Sequence, residues 1–250
     1  MVLVKFLGTL YLDGKPVSLG SPRSGEKISI GDTVAGKEIS FLPWGKGLVA
    51  TLPLCNNISW NELNEMGFAT GQVIKIDGRY FLCRLLRIGH GPGDPNEWDD
   101  ILSIYGNLST TYWSPGLQFW GQESYTGGPG CHLVRGTQSV YKLPDDASSP
   151  IVGFRPFLEP FEPISVNSRH IGKEVRLFGE GGSITGILKS SDEYDFIVES
   201  TEQLKQHAFE RGIESLYWAK LIGDKTVVAK KSSIVWTDLF TIVAAGKPTP

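Results

Sequence analysis

Residues 131–158, CHLVRGTQSVYKLPDDASSPIVGFRPFL, decide how the chain is read. The stretch opens on an arginine-glycine corner, Arg135-Gly136, and crosses a polar loop rich in Asp, Ser and Pro. It closes on a run that alternates sides, with Val152, Phe154, Pro156 and Leu158 set against Gly153, Arg155, Phe157 and Glu159. Period-two alternation is the mark of a strand. The expectation is a strand that ends beside an exit of prolines and acids.

Upstream, the chain reads as short strands punctuated by glycine. FLGTLYL and PVSL flank Asp13-Gly14-Lys15 as a hairpin, and GQVIKI and RYFLCRLLRI flank Asp77-Gly78. A two-residue Asp-Gly connection favours a tight turn because glycine accepts positive φ. Ser59 followed by Glu62 is the spacing of a capping box, with Gly67 placed to end a short helix. A second helix is expected with Asp94 as its cap, Pro95 and Glu97 following, an apolar side of Trp98, Ile101, Leu102 and Tyr105, and Gly106 as its stop.

After Pro163 the composition shifts, and PFEPIS reads as a linker. Beyond it, GKEVRLFG, SITGILKS, YDFIVES, KTVVAKK and SSIVWTDLF read as five short strands. A helical segment is expected at 201–219, and the five strands suggest a small closed barrel. The division is an N-terminal hairpin and strands over 1–40 packing on a first domain at 41–163, then a small barrel with a helical insertion at 164–250. The fold class expected is α+β.

Composition narrows the function. The 30 glycines and 15 prolines in 250 residues favour turns and short strands over long helices. A net charge of -3 provides no global attraction to nucleic acid or anionic membranes. No apolar run is long enough to span a bilayer, and MVLVKFLGTLYLDGK reads as a strand and turn rather than a signal peptide. Three cysteines without CxxC spacing point to neither a disulfide framework nor a zinc site. The expected setting is cytoplasmic at synthesis, with particle association left open, and no membrane partner.

Chemistry-bearing clusters are few. Asp94, Glu97, Asp99 and Asp100 could ligate calcium, but capping and favourable charge at a helix N-terminus explain the same spacing. Cys131 beside His132 and Arg135 suggests an activated thiolate, yet neighbours on a strand face opposite ways, so an inert cysteine is the better reading. A cysteine- or metal-dependent enzyme is the third choice. No catalytic residue, metal ligand or cofactor is assigned, and the chain reads as a binding or structural protein. Seven aromatics lie between Trp98 and Tyr125. Most belong to the core, but Tyr112 and Trp113 sit in loop context where rings can stack on a sugar or a partner.

VRGTQSV followed by VGFRPFL resembles the ending of C-type-lectin-fold domains. The nearest branch is the one shared by formylglycine-generating-enzyme-like proteins and the variable proteins of diversity-generating retroelements. NEWDDIL and LQFWGQES look like the helix and aromatic corner of surface and prophage-associated members, so that the resemblance covers about residues 45–160. The branch's oxidases bind copper through cysteines in this last region; none follows Cys131 here, and Val140-Tyr141 stands where a tryptophan is expected. The resemblance implies a scaffold of Gly136 and Gly153-Phe154-Arg155. It also implies a display surface that includes Gln138, Tyr141, Lys142, Asp145 and Asp146, for a carbohydrate or protein ligand.

The part from about 165 to 245 resembles an Sm-like barrel. Gly186 is followed by Asp192 six residues on, and VVAKKSSIVW is similar to the second Sm motif. That resemblance implies ring-like self-association and, as an alternative function, RNA binding through Lys230 and Lys231. From Ser165 onward there are 11 Lys or Arg and 11 Asp or Glu. That neutral balance disfavours a nucleic-acid partner, which is usually met by a basic excess.

Overall fold

The computed structural model describes residues 4–21, 23–91, 93–105, 116–136, 139–201 and 216–239. The chain divides into two compact units, one spanning Val4–Glu162 and the other beginning at Pro163.

The first unit has thirteen strands and two short helices among its described residues. They are β1 (Lys5–Leu12), β2 (Lys15–Val17), β3 (Ile28–Gly31), β4 (Glu38–Trp44), β5 (Gly47–Ala50), β6 (Cys55–Asn56), α1 (Trp60–Glu65), β7 (Gln72–Ile76) and β8 (Arg79–Leu85), then α2 (Glu97–Tyr105), β9 (Gln118–Ser124), β10 (Cys131–Arg135), β11 (Val140–Pro144), β12 (Val152–Phe154) and β13 (Pro156–Pro160). Eight of them form one sheet, ordered β2-β1-β4-β5-β13-β8-β7 with β3 also on β1. The other five form a second sheet, β11-β10-β9-β12-β6, in which β12 runs parallel to β9.

The α+β expectation is overturned: about half the chain is strand and only a tenth helical. The reason is length. At six and nine residues, α1 and α2 cannot form a layer, and each instead covers part of a sheet face. Trp120 of β9 donates to the Ile58 carbonyl just before α1 at 2.8 Å. Its neighbour Phe119, facing the other way, packs edge-on against Trp98 of α2 at 4.8 Å.

Local signals are realised where they are local. Ser59 accepts from the Glu62 amide at 3.2 Å while the Glu62 carboxylate takes the Ser59 amide at 2.8 Å. The β7–β8 connection turns at Asp77 (φ 49°) and Gly78 (φ 82°). The cap of α2, however, is Asn96, whose side-chain oxygen accepts from the Asp99 amide at 2.8 Å. Asp94 instead accepts from the His90 amide at 3.1 Å. Gly106 lies outside the described residues.

The closing run 152–158 does not sort into an inner and an outer side. Val152, Phe154, Arg155, Phe157 and Leu158 are all buried. The run leaves one sheet as β12 and enters the other as β13, so both of its sides meet protein. At the crossing, Arg155 lies 4.7 Å from the Trp98 ring and 5.0 Å from the Phe119 ring, and it donates to the Thr51 carbonyl. Burial pushes its pKa down to about 9, so the guanidinium stays charged at neutral pH.

The second unit carries β14 (Glu174–Gly179), β15 (Gly182–Ser191), β16 (Asp195–Ser200), β17 (Ala219–Ile222), β18 (Thr226–Lys230) and β19 (Ile234–Leu239). Their order is β17-β18-β16-β15-β14-β19, antiparallel throughout, with β18 set between β17 and β16 and the last strand returning beside the first. Leu177, Leu188, Phe196, Val198 and Trp218 form its core. The expected helix over 201–219 falls mostly on residues outside those described, and its end, Ala219, starts β17 instead.

Candidate functional site

β9 and β10 are joined by the turn TGGPG, and their pairing sets Ser124 opposite His132. Opposite residues of an antiparallel pair share a face. The Ser124 hydroxyl is accordingly 3.0 Å from His132 Nε2. On the other side of the ring, His132 Nδ1 is 2.7 Å from Asp145 Oδ1. Asp145 is itself fixed by its backbone: its amide donates to the Gly130 carbonyl at 3.0 Å, and its carbonyl accepts from the Asn61 amide at 2.9 Å. Trp60 of α1 lies flat on the imidazole, with ring centroids 3.4 Å apart and planes 12° apart. The indole is pinned in turn to the Gly121 carbonyl at 3.2 Å.

A carboxylate only accepts, so in the neutral ring the hydrogen belongs on Nδ1 and the Nε2 lone pair faces the Ser124 hydroxyl. His132 is buried whereas Ser124 is exposed. The arrangement places a proton acceptor of fixed orientation behind a surface hydroxyl.

The residues expected to display a ligand are divided by this geometry. Along β11, Tyr141 pairs with Val134 and Lys142 with Leu133, so the two point to opposite faces. Tyr141 is 51% exposed. Lys142 is exposed and holds its ammonium 4.2 Å from the Tyr125 ring. Asp145 is turned inward to His132, whereas Asp146 is exposed. Tyr112, Trp113 and Gln138 lie outside the described residues. The expected loop is in part an edge strand, β11, none of whose five residues is buried.

Sequence reasoning gives no sign of Ser124 or Trp60, and it separates His132 from Cys131 without supplying the partners that the ring has instead. Cys131 and His132 alternate across β10, which separates the thiol from the ring. The findable signal was the TGGPG turn: folding the flanking strands about it brings positions 124 and 132 together. Trp60 had no such signal, since its contact spans distant sequence.

Several other charged groups of the first unit are engaged in the scaffold. Glu97 receives Arg84 through two hydrogen bonds of 2.7 and 2.8 Å and the Arg87 amide at 2.8 Å. Burial pushes its carboxyl up, but these bonds and the Arg84 charge outweigh it and hold it below the ordinary 4.5. Asp99 pairs with the buried Arg135. Among the described residues, no group of three or more His, Cys, Asp or Glu is placed to hold a metal ion. Burial pushes the Cys55 thiol up to about 12 and raises Cys83 as well, which suppresses their thiolates. In the second unit, Lys231 donates to the Asp192 carbonyl and sits 4.6 Å from the Phe196 ring, while Lys230 is exposed.

No helix among the described residues is long and apolar enough to cross a membrane. No family model, curated protein or solved structure matches the chain.

Proposed function

We propose that the chain is a recognition protein whose first unit reads a carbohydrate at the end of the five-stranded sheet. The observation that carries this is Tyr141, which is 51% exposed on an edge strand with no buried residue. A tyrosine offers an apolar body with a polar tip, which suits the C–H face and hydroxyl rim of a sugar. The exposed carboxylate of Asp146 lies just past the same strand and can accept from sugar hydroxyls. The likeness of the RG…GFR frame to C-type-lectin-fold domains supports the same reading by analogy alone.

A glycan array followed by titration of any positive sugar tests it. Tyr141→Ala should weaken binding roughly tenfold or more, as expected for an aromatic anchor worth over about 1.4 kcal/mol. An array without a positive, or an unchanged affinity in Tyr141→Ala, removes the reading. A protein captured in a Tyr141-dependent manner would reassign the ligand class to protein.

A further inference from the structure

Ser124, His132 and Asp145 are joined in the order hydroxyl, Nε2, Nδ1, carboxylate, at 3.0 and 2.7 Å. That is the connectivity by which a serine is made nucleophilic: one ring nitrogen takes the hydroxyl proton while the other is held by an acid. The two ends differ in a way that a purely structural pin does not require. Asp145 and His132 are largely shielded, with side chains 18% and 10% exposed, whereas Ser124 is exposed to incoming molecules. Trp60 stacks on the imidazole and fixes its plane, so the Nε2 lone pair keeps its direction.

We propose that Ser124 is the nucleophile of a surface esterase site, with His132 as its general base and Asp145 as a positioning residue. The substrate class is a short-chain carboxylic ester. An ester suits a surface hydroxyl better than an amide does, because its alcohol leaves more readily and needs less help from an enclosing pocket. That the alcohol is a sugar hydroxyl rests on the carbohydrate reading above; the hydrolytic chemistry does not.

The steps balance. Ser124 Oγ bonds to the acyl carbon as its proton passes to His132 Nε2. The carbon–oxygen bond to the alcohol breaks, and that oxygen takes the proton from Nε2. Water then adds to the acyl carbon, giving one proton to Nε2, and Ser124 Oγ leaves with that proton restored. The sum is ester plus water to acid plus alcohol, with no change in oxidation state.

The test uses the full chain and two probes, p-nitrophenyl acetate and an alkyl fluorophosphonate. In the second, Oγ displaces fluoride at phosphorus and the adduct stays on the serine. The expected result is an adduct mapped by mass spectrometry to Ser124, absent in Ser124→Ala and retained in the control Ser148→Ala. Hydrolysis of the acetate should fall roughly 10²–10⁴-fold in His132→Asn, the span of general-base catalysis. Asp145→Asn can donate to Nδ1 and so favour the tautomer that presents N–H to Ser124; it should lower the plateau of the rate–pH profile without moving Ser124. Because Ser124 is exposed, Ser124→Ala should melt as the wild type does, which keeps the test valid if the His132 variant misfolds. No adduct on Ser124, or equal labelling rates in the wild type and Asp145→Asn, overturns the proposal. Sugar binding retained in Ser124→Ala beside an unlabelled wild type removes only the esterase. Labelling at Ser124 with no sugar bound removes only the carbohydrate reading.

Discussion

Glu97 is the residue on which the first unit's interior charge balance turns. It is 7% exposed and is held by Arg84, itself only 7% exposed, with Arg87 reaching in from the surface. Removing one member of such a pair leaves the other buried and uncompensated. Glu97→Gln should therefore cost about 3 kcal/mol in urea unfolding, with Glu159 retaining part of the Arg84 charge. The same carboxyl sets an acid limit. Its pKa in the folded chain is depressed below 4.5, so its contribution is complete above that value and is lost as pH falls through 4.5 toward the folded pKa. Glu62, hydrogen-bonded to Arg23, is depressed as well and adds to the same limb. Unfolding midpoints followed from about pH 6 to pH 3 should drop steeply in the wild type and less in Glu97→Gln. Parallel curves would show that the ion pair does not govern acid stability.

At the scale of elements, β12 and β6 approach each other at Gly153 too closely to admit a side chain. A Cβ on Gly153 would stand 2.3 Å from the Cys55 carbonyl oxygen and 2.4 Å from the Asn56 side chain. Backbone cannot yield there without parting the two strands, so Gly153→Ala should cost roughly 1–3 kcal/mol. Thermal unfolding of the variant checks this, and a melting temperature within error of the wild type contradicts it. The glycine was visible in the GFR run, but its reason was not, because β6 lies almost a hundred residues earlier. Signals that act within four residues were legible: the Ser59–Glu62 box, the Asp77-Gly78 turn and the five strands after Pro163. Signals that depend on a partner were not. Asn96 outcompeted Asp94 for the α2 cap because the helix starts where Glu97 must meet Arg84. β17 was missed because its pattern of half-burial against β18 leaves no apolar alternation to read. Tyr141 is named by analogy to a frame, and the structure shows that it is exposed, whereas Ser124, His132 and Trp60 converge from three elements and needed the structure.

At the scale of the whole molecule, each unit has its own core and its own sheet order, and the first is completed from its C-terminal end. β12 lies between β9 and β6, and β13 lies between β5 and β8. Nine residues, Val152 to Pro160, thus supply an interior strand to both sheets. On a ribosome these residues emerge last of their unit, so a nascent chain halted before Val152 holds four sheet edges that have no strand to close them. Pairings made so late in sequence are the slow part of a β fold and leave unpaired edges exposed in the meantime. A chain arrested before this segment has cleared the exit should be cut rapidly by protease, and one arrested just beyond it should resist. Equal resistance at both points would mean that the sheets stand without their central strands. The strand that crosses between the sheets thereby acts as a clasp, and the birth of the first unit ends when it closes.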